Sequence, residues 1–155
     1  MSRALFPIGK NFIGMLFLAA AFTSCAPAED TRPGQPVAHR QAAFKAIMEE
    51  FEPMGAALRR GDFPSDEFLK RAERLFALKD DPWPYFGADT QYPPSKAEDR
   101  LWREPEIFAA RRDDFLKAAE SLRAAAKQRD EKSAREAWKT VEESCRACHK
   151  TYKRR

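Results

Sequence analysis

Two cysteines and a histidine stand close together near the end of the 155-residue chain. Cys145 and Cys148 are three residues apart, and His149 follows the second cysteine directly. On a helix, residues separated by three or four positions lie on one face, so both sulfurs and the imidazole point the same way. Cys-x-x-Cys-His is the attachment pattern of a c-type haem. The spacing therefore predicts one covalently bound haem c, with His149 as the iron ligand.

A zinc site and a redox dithiol are the other uses that this cluster could have. A structural zinc site needs four ligands, and the only other histidine is His39. A redox dithiol usually begins a helix of a thioredoxin-like α/β fold, of which the sequence shows no sign. Haem attachment is favoured over both alternatives.

The first 28 residues differ in composition from the rest of the chain. They carry Arg3 and Lys10 but no acidic residue, and the apolar run FIGMLFLAAAF leads into small residues. This pattern is typical of an export signal, and the run is short for a bilayer span, which makes an uncleaved anchor the weaker alternative. Cleavage after Ala28 fits the small-x-small rule, whereas FTSC resembles a lipoprotein box that would place a lipid on Cys25. We expect a periplasmic protein, with a lipid anchor at Cys25 as the second alternative.

The charge of the folded part is nearly balanced. The whole chain has 28 basic and 24 acidic side chains, and two of the basic ones lie in residues 1–28. The remaining charges are interspersed, as on solvated helix faces. Nothing in this pattern indicates binding to nucleic acid.

Residues 37–155 are predicted to form one domain of four amphipathic helices, preceded by a polar, proline-rich linker at 29–36. The apolar stripe of the first helix shows the period, with Phe44, Ile47, Met48 and Phe51 at positions i, i+3, i+4 and i+7. The helices are expected to begin near residue 37, to cover 65–78 and 105–127, and to run from 131 to the end. A long proline- and aromatic-rich connection lies at 79–99. The predicted fold class is all-α, an antiparallel four-helix bundle.

With the cysteine–histidine motif in its last helix, the chain resembles the cytochrome c′ family, the class II c-type cytochromes. The resemblance covers residues 37–155. It is carried by RQAAF (40–44), REPEIF (103–108) and WKTVEESCRACHKTYKRR (138–155). It implies a four-helix bundle with covalent haem, and a homodimer through the first two helices.

The resemblance also implies roles for single residues. Arg40 and Gln41 match the pair that hydrogen-bonds the haem propionates, for which a guanidinium is well suited. Phe44 matches the residue over the free face of the iron, and because phenylalanine cannot bind a metal, we expect five-coordinate, high-spin iron. Lys153, one turn after His149, matches a position where the family commonly has arginine, and a cation there can tune the histidine. Its hydrogen bonding differs, because an ammonium is not a planar fork.

Four further side chains receive structural interpretations. Met48 is expected to pack in the core, with a role as sixth iron ligand as the alternative. Trp138 and Tyr152 are expected to pack beside the haem. His39 is expected to be exposed at the start of the first helix.

These residues predict a haem protein that binds small uncharged gases such as nitric oxide or carbon monoxide. The alternative is an electron carrier with low-spin, six-coordinate haem. Enzymatic turnover is the weakest hypothesis, because no histidine or acid is expected on the distal side to act as a general base. The redox partner is not specified by any residue.

Overall fold

The computed structural model describes residues 28–154, in which five α-helices and one 3₁₀ turn follow each other with no β-strand. The elements are α1 (Pro36–Arg60), α2 (Ser65–Leu78), the 3₁₀ turn (Trp83–Tyr85), α3 (Arg100–Arg103), α4 (Pro105–Lys127) and α5 (Glu131–Tyr152). The prediction of an all-α four-helix bundle is confirmed, and the short α3 is an addition to it. None of the helices in this part of the chain combines the length and the apolar character that a membrane span needs.

Local sequence signals explain the end of α1 and the start of α5, whereas the start of α1 depends on a more distant residue. Gly61 ends α1 with φ of 72°, a left-handed conformation that suits glycine. Asp130 caps α5, since its carboxylate accepts a hydrogen bond from the Ser133 backbone N–H at 2.8 Å. The start of α1 has no side-chain cap from its own neighbour Gln35.

Asp30 satisfies the first turn of α1 instead. Its carboxylate accepts hydrogen bonds from the backbone N–H groups of Val37 and Ala38 at 2.9 and 3.1 Å. It also accepts one from the Tyr92 hydroxyl at 2.9 Å. Asp30 is only 3% exposed, so the segment predicted as a linker, 29–36, is attached to the bundle. The predicted export signal lies outside the described residues except for Ala28, and the domain boundaries stay predictions.

The bundle of four long helices has two halves with different interiors. One half is a packed apolar core, formed by the C-terminal parts of α1 and α4, the whole of α2 and the N-terminal part of α5. Its largest fully buried side chains are Phe68, Met54, Leu75 and Leu122. Burying each such side chain contributes roughly 1.5–3 kcal/mol. This half makes the bundle stable and leaves the opposite half free to form a site.

The loop at 79–99 covers the opposite half of the bundle. Trp83 donates its indole N–H to the Lys79 carbonyl at 2.7 Å, and Trp102 donates to the Gly87 carbonyl at 2.8 Å. Both tryptophans thus hold the loop in place, as buried or half-buried indole groups usually need a partner. The loop forms a wall over the N-terminal halves of α1 and α4 and the C-terminal half of α5.

Candidate functional site

A cavity of about 420 Å³ lies between α1, α4, α5 and the loop. Its walls are largely apolar. The aromatic side chains that line it are Phe44, Trp83, Phe86, Phe108, Phe115 and Tyr152. The seven residues predicted for the site all border this same cavity, although they come from two separate parts of the chain: Arg40, Gln41, Phe44, Cys145, Cys148, His149 and Lys153.

One face of α5 carries the two thiols and the imidazole into the cavity. Cys145 and Cys148 are both free and half-buried. Burial raises the pKa of Cys145, and burial together with the neighbouring Cys145 raises the pKa of Cys148 to about 11. Redox dithiols depend on a thiolate near neutral pH. The protonated state of both thiols therefore disfavours the dithiol alternative.

His149 borders the cavity on its open side, one residue after Cys148. Partial burial of the ring, and then the nearby Lys153 ammonium, lower the pKa of His149. The imidazole is therefore neutral at pH 7, which is the form that binds a metal. In the described part of the chain, no group of three or more histidine, cysteine or acidic side chains could hold a metal ion. The zinc alternative thus has no support there.

The cavity fits a flat, apolar group that carries a few polar atoms. Its aromatic walls offer surfaces against which a ring can pack. Tyr152 also lines it, and its buried hydroxyl has no hydrogen-bond partner among the described residues, which costs about 1–3 kcal/mol. Haem c meets these requirements. Cys145, Cys148 and His149 would hold it, and its iron would supply a binding position for small ligands.

Phe44 forms part of the cavity wall on α1. Its ring packs edge-on against Trp83, with centroids 5.5 Å apart, and against Phe86 at 6.2 Å. These contacts hold the benzyl group in an aromatic cluster. They give the α1 wall an apolar surface at this position.

Met48 lies one turn after Phe44, and the prediction that it packs in the core is wrong. It is 37% exposed and borders the cavity. The core-facing stripe of α1 instead continues through Ile47 and Phe51, which are both buried. Met48 shares the helix face of Phe44, four residues earlier, and lies at the exposed edge of the stripe beside the cavity.

Arg40 is a buried anchor for the loop. It is 3% exposed, and all four terminal N–H groups of its guanidinium are used. They donate to the Tyr85 carbonyl at 2.9 Å, to the Thr90 hydroxyl and carbonyl at 2.9 and 2.8 Å, and to the Ser95 hydroxyl at 2.6 Å. Gln41 is exposed and donates to the Pro94 carbonyl at 3.4 Å. The propionate role of both residues stays a prediction, and the structure adds a second one, that of holding the loop.

Lys153 lies where the end of α5 joins the loop. The Glu98 N–H donates to the Tyr152 carbonyl at 2.9 Å, and the Arg154 N–H donates to the Lys96 carbonyl at 2.8 Å. Ala97 and Lys153 form an isolated antiparallel bridge between these two bonds. We call this pairing of residues 96–98 with 152–154 the clasp. It fixes Lys153 close to His149.

The other two aromatic interpretations have different outcomes. Tyr152 does line the cavity, but Trp138 does not. Trp138 stacks on Phe51 with centroids 4.7 Å apart and donates its indole N–H to the Phe51 carbonyl at 3.2 Å. Its prediction is wrong because α5 turns this position toward the packed half of the bundle. His39 is exposed as expected, and its ring stacks on Tyr85 at 5.0 Å.

Sequence reasoning missed several residues that shape the site. Thr90 and Ser95, which bind Arg40, are two small polar residues in a loop, and no sequence signal distinguishes them. Phe86 lies in the aromatic-rich stretch and could have been predicted as a cavity wall. Arg111 lines the cavity from α4, one turn after Phe108, and this helical spacing is a usable signal.

Comparisons with known proteins agree with this geometry. The family model described as Cytochrome C′ matches residues 35–153. A cytochrome c′ from Alcaligenes xylosoxydans xylosoxydans is 29% identical over 126 residues, which are 80% of this chain and 97% of that protein.

Solved structures give the same result. The cytochrome c prime from Shewanella frigidimarina is 30% identical and superposes with a TM-score of 0.76, covering 81% of this chain and 98% of its own. A ferrous variant of the Alcaligenes xylosoxidans protein with bound nitric oxide is 28% identical, with a TM-score of 0.74 and coverages of 82% and 99%. The chain belongs to the cytochrome c′ family, whose members carry covalently bound haem c.

Proposed function

We propose that this protein is a periplasmic haem protein that binds small uncharged gases, nitric oxide above all, at five-coordinate, high-spin iron. The observation that carries the proposal is Phe44 in the cavity wall. Its ring cannot bind a metal, and it is held there by Trp83 and Phe86. A site without a donor side chain at this position favours ligands that need no hydrogen bond. Distal polarity and access are the properties that decide which ligands a haem binds.

Each of the predicted site residues has a part in this proposal. Cys145 and Cys148 hold the haem on α5, and His149 binds its iron as a neutral imidazole. Arg40 and Gln41 lie at the α1 side of the cavity near the loop, where the propionates are expected. Lys153 tunes His149 from the clasp.

Relatives support the choice of ligand. The Alcaligenes xylosoxidans protein has been solved as nitric oxide complexes of several variants and as a carbon monoxide complex of another. Those titles describe that protein. For this chain, binding of the same two gases is our proposal, supported by the apolar aromatic wall.

An electron carrier with low-spin haem is the second candidate, and Met48 is the observation that favours it. Its thioether borders the cavity one turn from Phe44 and could reach toward the haem. Phe44 argues against it, because it lies between aromatic neighbours at the more enclosed position, whereas Met48 is at the mouth. We therefore rank gas binding first.

Binding rather than turnover is proposed for a further reason. Among the described residues that line the cavity, His149 is the only histidine and there is no carboxylate. His149 is assigned to the iron, which leaves no side chain to act as a general base near a bound ligand.

Spectroscopy of the holoprotein tests the proposal. The reduced protein is purified with its haem, and absorption and electron paramagnetic resonance spectra are recorded with and without nitric oxide. A high-spin ferrous form that binds the gas supports it. A low-spin ferrous spectrum that nitric oxide leaves unchanged contradicts it and favours the electron carrier.

Export and assembly belong to the same proposal. Mass spectrometry of the mature N-terminus separates cleavage after Ala28 from lipidation at Cys25. Light scattering of the purified holoprotein tests the homodimer through α1 and α2 that the family resemblance implies.

A further inference from the structure

The mouth of the cavity is unusually positive. Seven of the cavity-lining residues are exposed, and four of these are cations: Lys45, Lys96, Arg111 and Lys153. No aspartate or glutamate occurs among the cavity-lining residues that the structure describes. The chain as a whole has nearly as many acidic as basic residues. The charge around the cavity is therefore a local feature and does not follow from composition.

Two of these cations are partly neutralised by neighbours on their own helix. Lys45 approaches Glu49 at 3.9 Å, and Arg111 approaches Asp114 at 3.2 Å, both on exposed helix faces. Such exposed ion pairs interact only weakly. Lys96 and Lys153 form no ion pair within residues 28–154. Both remain available to a negatively charged partner.

The clasp makes this positive surface rigid. It places Lys96 and Lys153 on paired backbone segments, joined by the Glu98–Tyr152 and Arg154–Lys96 hydrogen bonds. Arg154 adds a further cation beside them, and its guanidinium donates to the Ser95 carbonyl at 2.6 Å. Backbone pairing fixes the positions of these charges, and a preorganised charge pattern favours specific association.

We propose that the cavity mouth is the docking surface for an acidic electron-transfer protein that reduces the haem. The proposal rests on the proposed function, since it needs a haem in the cavity. A bound haem would bring two negative propionates, which the proposed function places at Arg40 and Gln41. The four exposed cations and Arg154 outnumber these two charges and leave the mouth positive, so an acidic partner is attracted to the opening nearest the cofactor.

Reduction of the haem would transfer one electron from the partner to the iron. The partner's reduced cofactor gives up one electron, and the ferric iron takes it up to become ferrous. No bond forms and no proton moves. Docking at the mouth suits this step because electrostatic attraction raises association rates by about 10–1,000-fold at low salt, while both proteins can then separate.

The test uses the holoprotein and an acidic flavodoxin as the probe. In the double variant Lys45→Glu/Lys96→Glu, two mouth charges are reversed. In the matched control Lys70→Glu/Lys117→Glu, two exposed lysines away from the cavity are reversed. Both variants have the same net charge. Affinity for oxidised flavodoxin is measured by calorimetry on the ferric protein, where no electron moves, and reduction by the flavodoxin hydroquinone is followed by stopped flow.

We expect the mouth variant to lose about tenfold in affinity and in second-order reduction rate at low salt, and the control to lose about twofold or less. Equal losses in both variants would mean that only net charge matters and would overturn the proposal. So would a rate that rises with ionic strength. If the mouth variant slows reduction by the small anion dithionite as much as it slows reduction by flavodoxin, the mouth attracts anions in general and is not a protein docking surface. Gas binding by the unmodified holoprotein tests the proposed function separately.

Discussion

The Arg40 guanidinium binds Thr90 twice, donating from Nη1 to the hydroxyl at 2.9 Å and from Nη2 to the backbone carbonyl at 2.8 Å. The same group donates to Ser95, whose carbonyl in turn accepts from Arg154. A continuous set of hydrogen bonds thus connects the start of α1 to the end of α5 through the loop. The shape of the cavity depends on this connection, because the loop is one of its walls.

Replacing Arg40 by lysine keeps the charge but removes the planar fork. We expect Arg40→Lys to lose two or three of the four hydrogen bonds, and to lower the free energy of unfolding of the holoprotein by about 2–3 kcal/mol. Denaturation with guanidinium chloride measures the loss. Amide hydrogen exchange in the loop at 79–99 should quicken at the same time. A changed haem spectrum with unchanged loop exchange would mean that Arg40 serves the propionates alone.

Phe44→Met tests whether position 44 faces the haem iron. The thioether can bind iron where the benzyl ring cannot, so we expect a shift toward low-spin iron and slower binding of nitric oxide. Paramagnetic resonance and stopped-flow absorption measure the two effects. The matched control is Phe44→Leu, which cannot bind a metal and should stay high-spin. If the methionine variant also stays high-spin with unchanged gas binding, position 44 does not face the iron.

Gly55→Ala tests the close packing of α1 on α5. A Cβ at this position would lie 2.2 Å from Cζ2 of Trp138, which is held by its stacking on Phe51. Overpacking of this kind costs about 1–3 kcal/mol, and the better helix propensity of alanine offsets about 1 kcal/mol of it. We expect a lower melting temperature by circular dichroism.

The control for this variant is Gly87→Ala. A Cβ there would meet its nearest neighbours at 3.6 and 3.8 Å, which is ordinary contact. Its melting temperature should change little. A Gly55→Ala protein as stable as the control would show that Trp138 can move aside without cost.

Asp30→Asn tests whether the segment before α1 belongs to the fold. Burial raises the pKa of Asp30, but hydrogen bonds from the Ala38 N–H, the Tyr92 hydroxyl and two further backbone N–H groups outweigh it, and the pKa lies below its ordinary value of 3.8. A lowered pKa in the folded state means that the carboxylate stabilises the protein above the unfolded pKa. This stabilisation disappears as pH falls through the folded pKa.

We therefore expect the unmodified protein to be more stable than Asp30→Asn at pH 7, with the difference shrinking below about pH 4. Chemical denaturation of both proteins between pH 3 and pH 7 measures it. Equal stability across that range would mean that Asp30 contributes nothing and that 29–36 is only a linker.

The sequence alone determined the local features of this protein. Helical periodicity predicted the four long helices, because this signal acts through neighbouring residues. The spacing of Cys145, Cys148 and His149 predicted the attachment face, because residues three and four apart share one side of a helix.

Tertiary structure alone decided how distant segments meet. The capping of α1 by Asp30, the use of Arg40 to hold the loop, and the clasp each join residues that are far apart in sequence or lack a local pattern. Met48 and Trp138 differ from expectation for the same reason. Periodicity places both on apolar stripes, but only the packing of one helix on another decides which part of a stripe faces the core and which part faces the cavity.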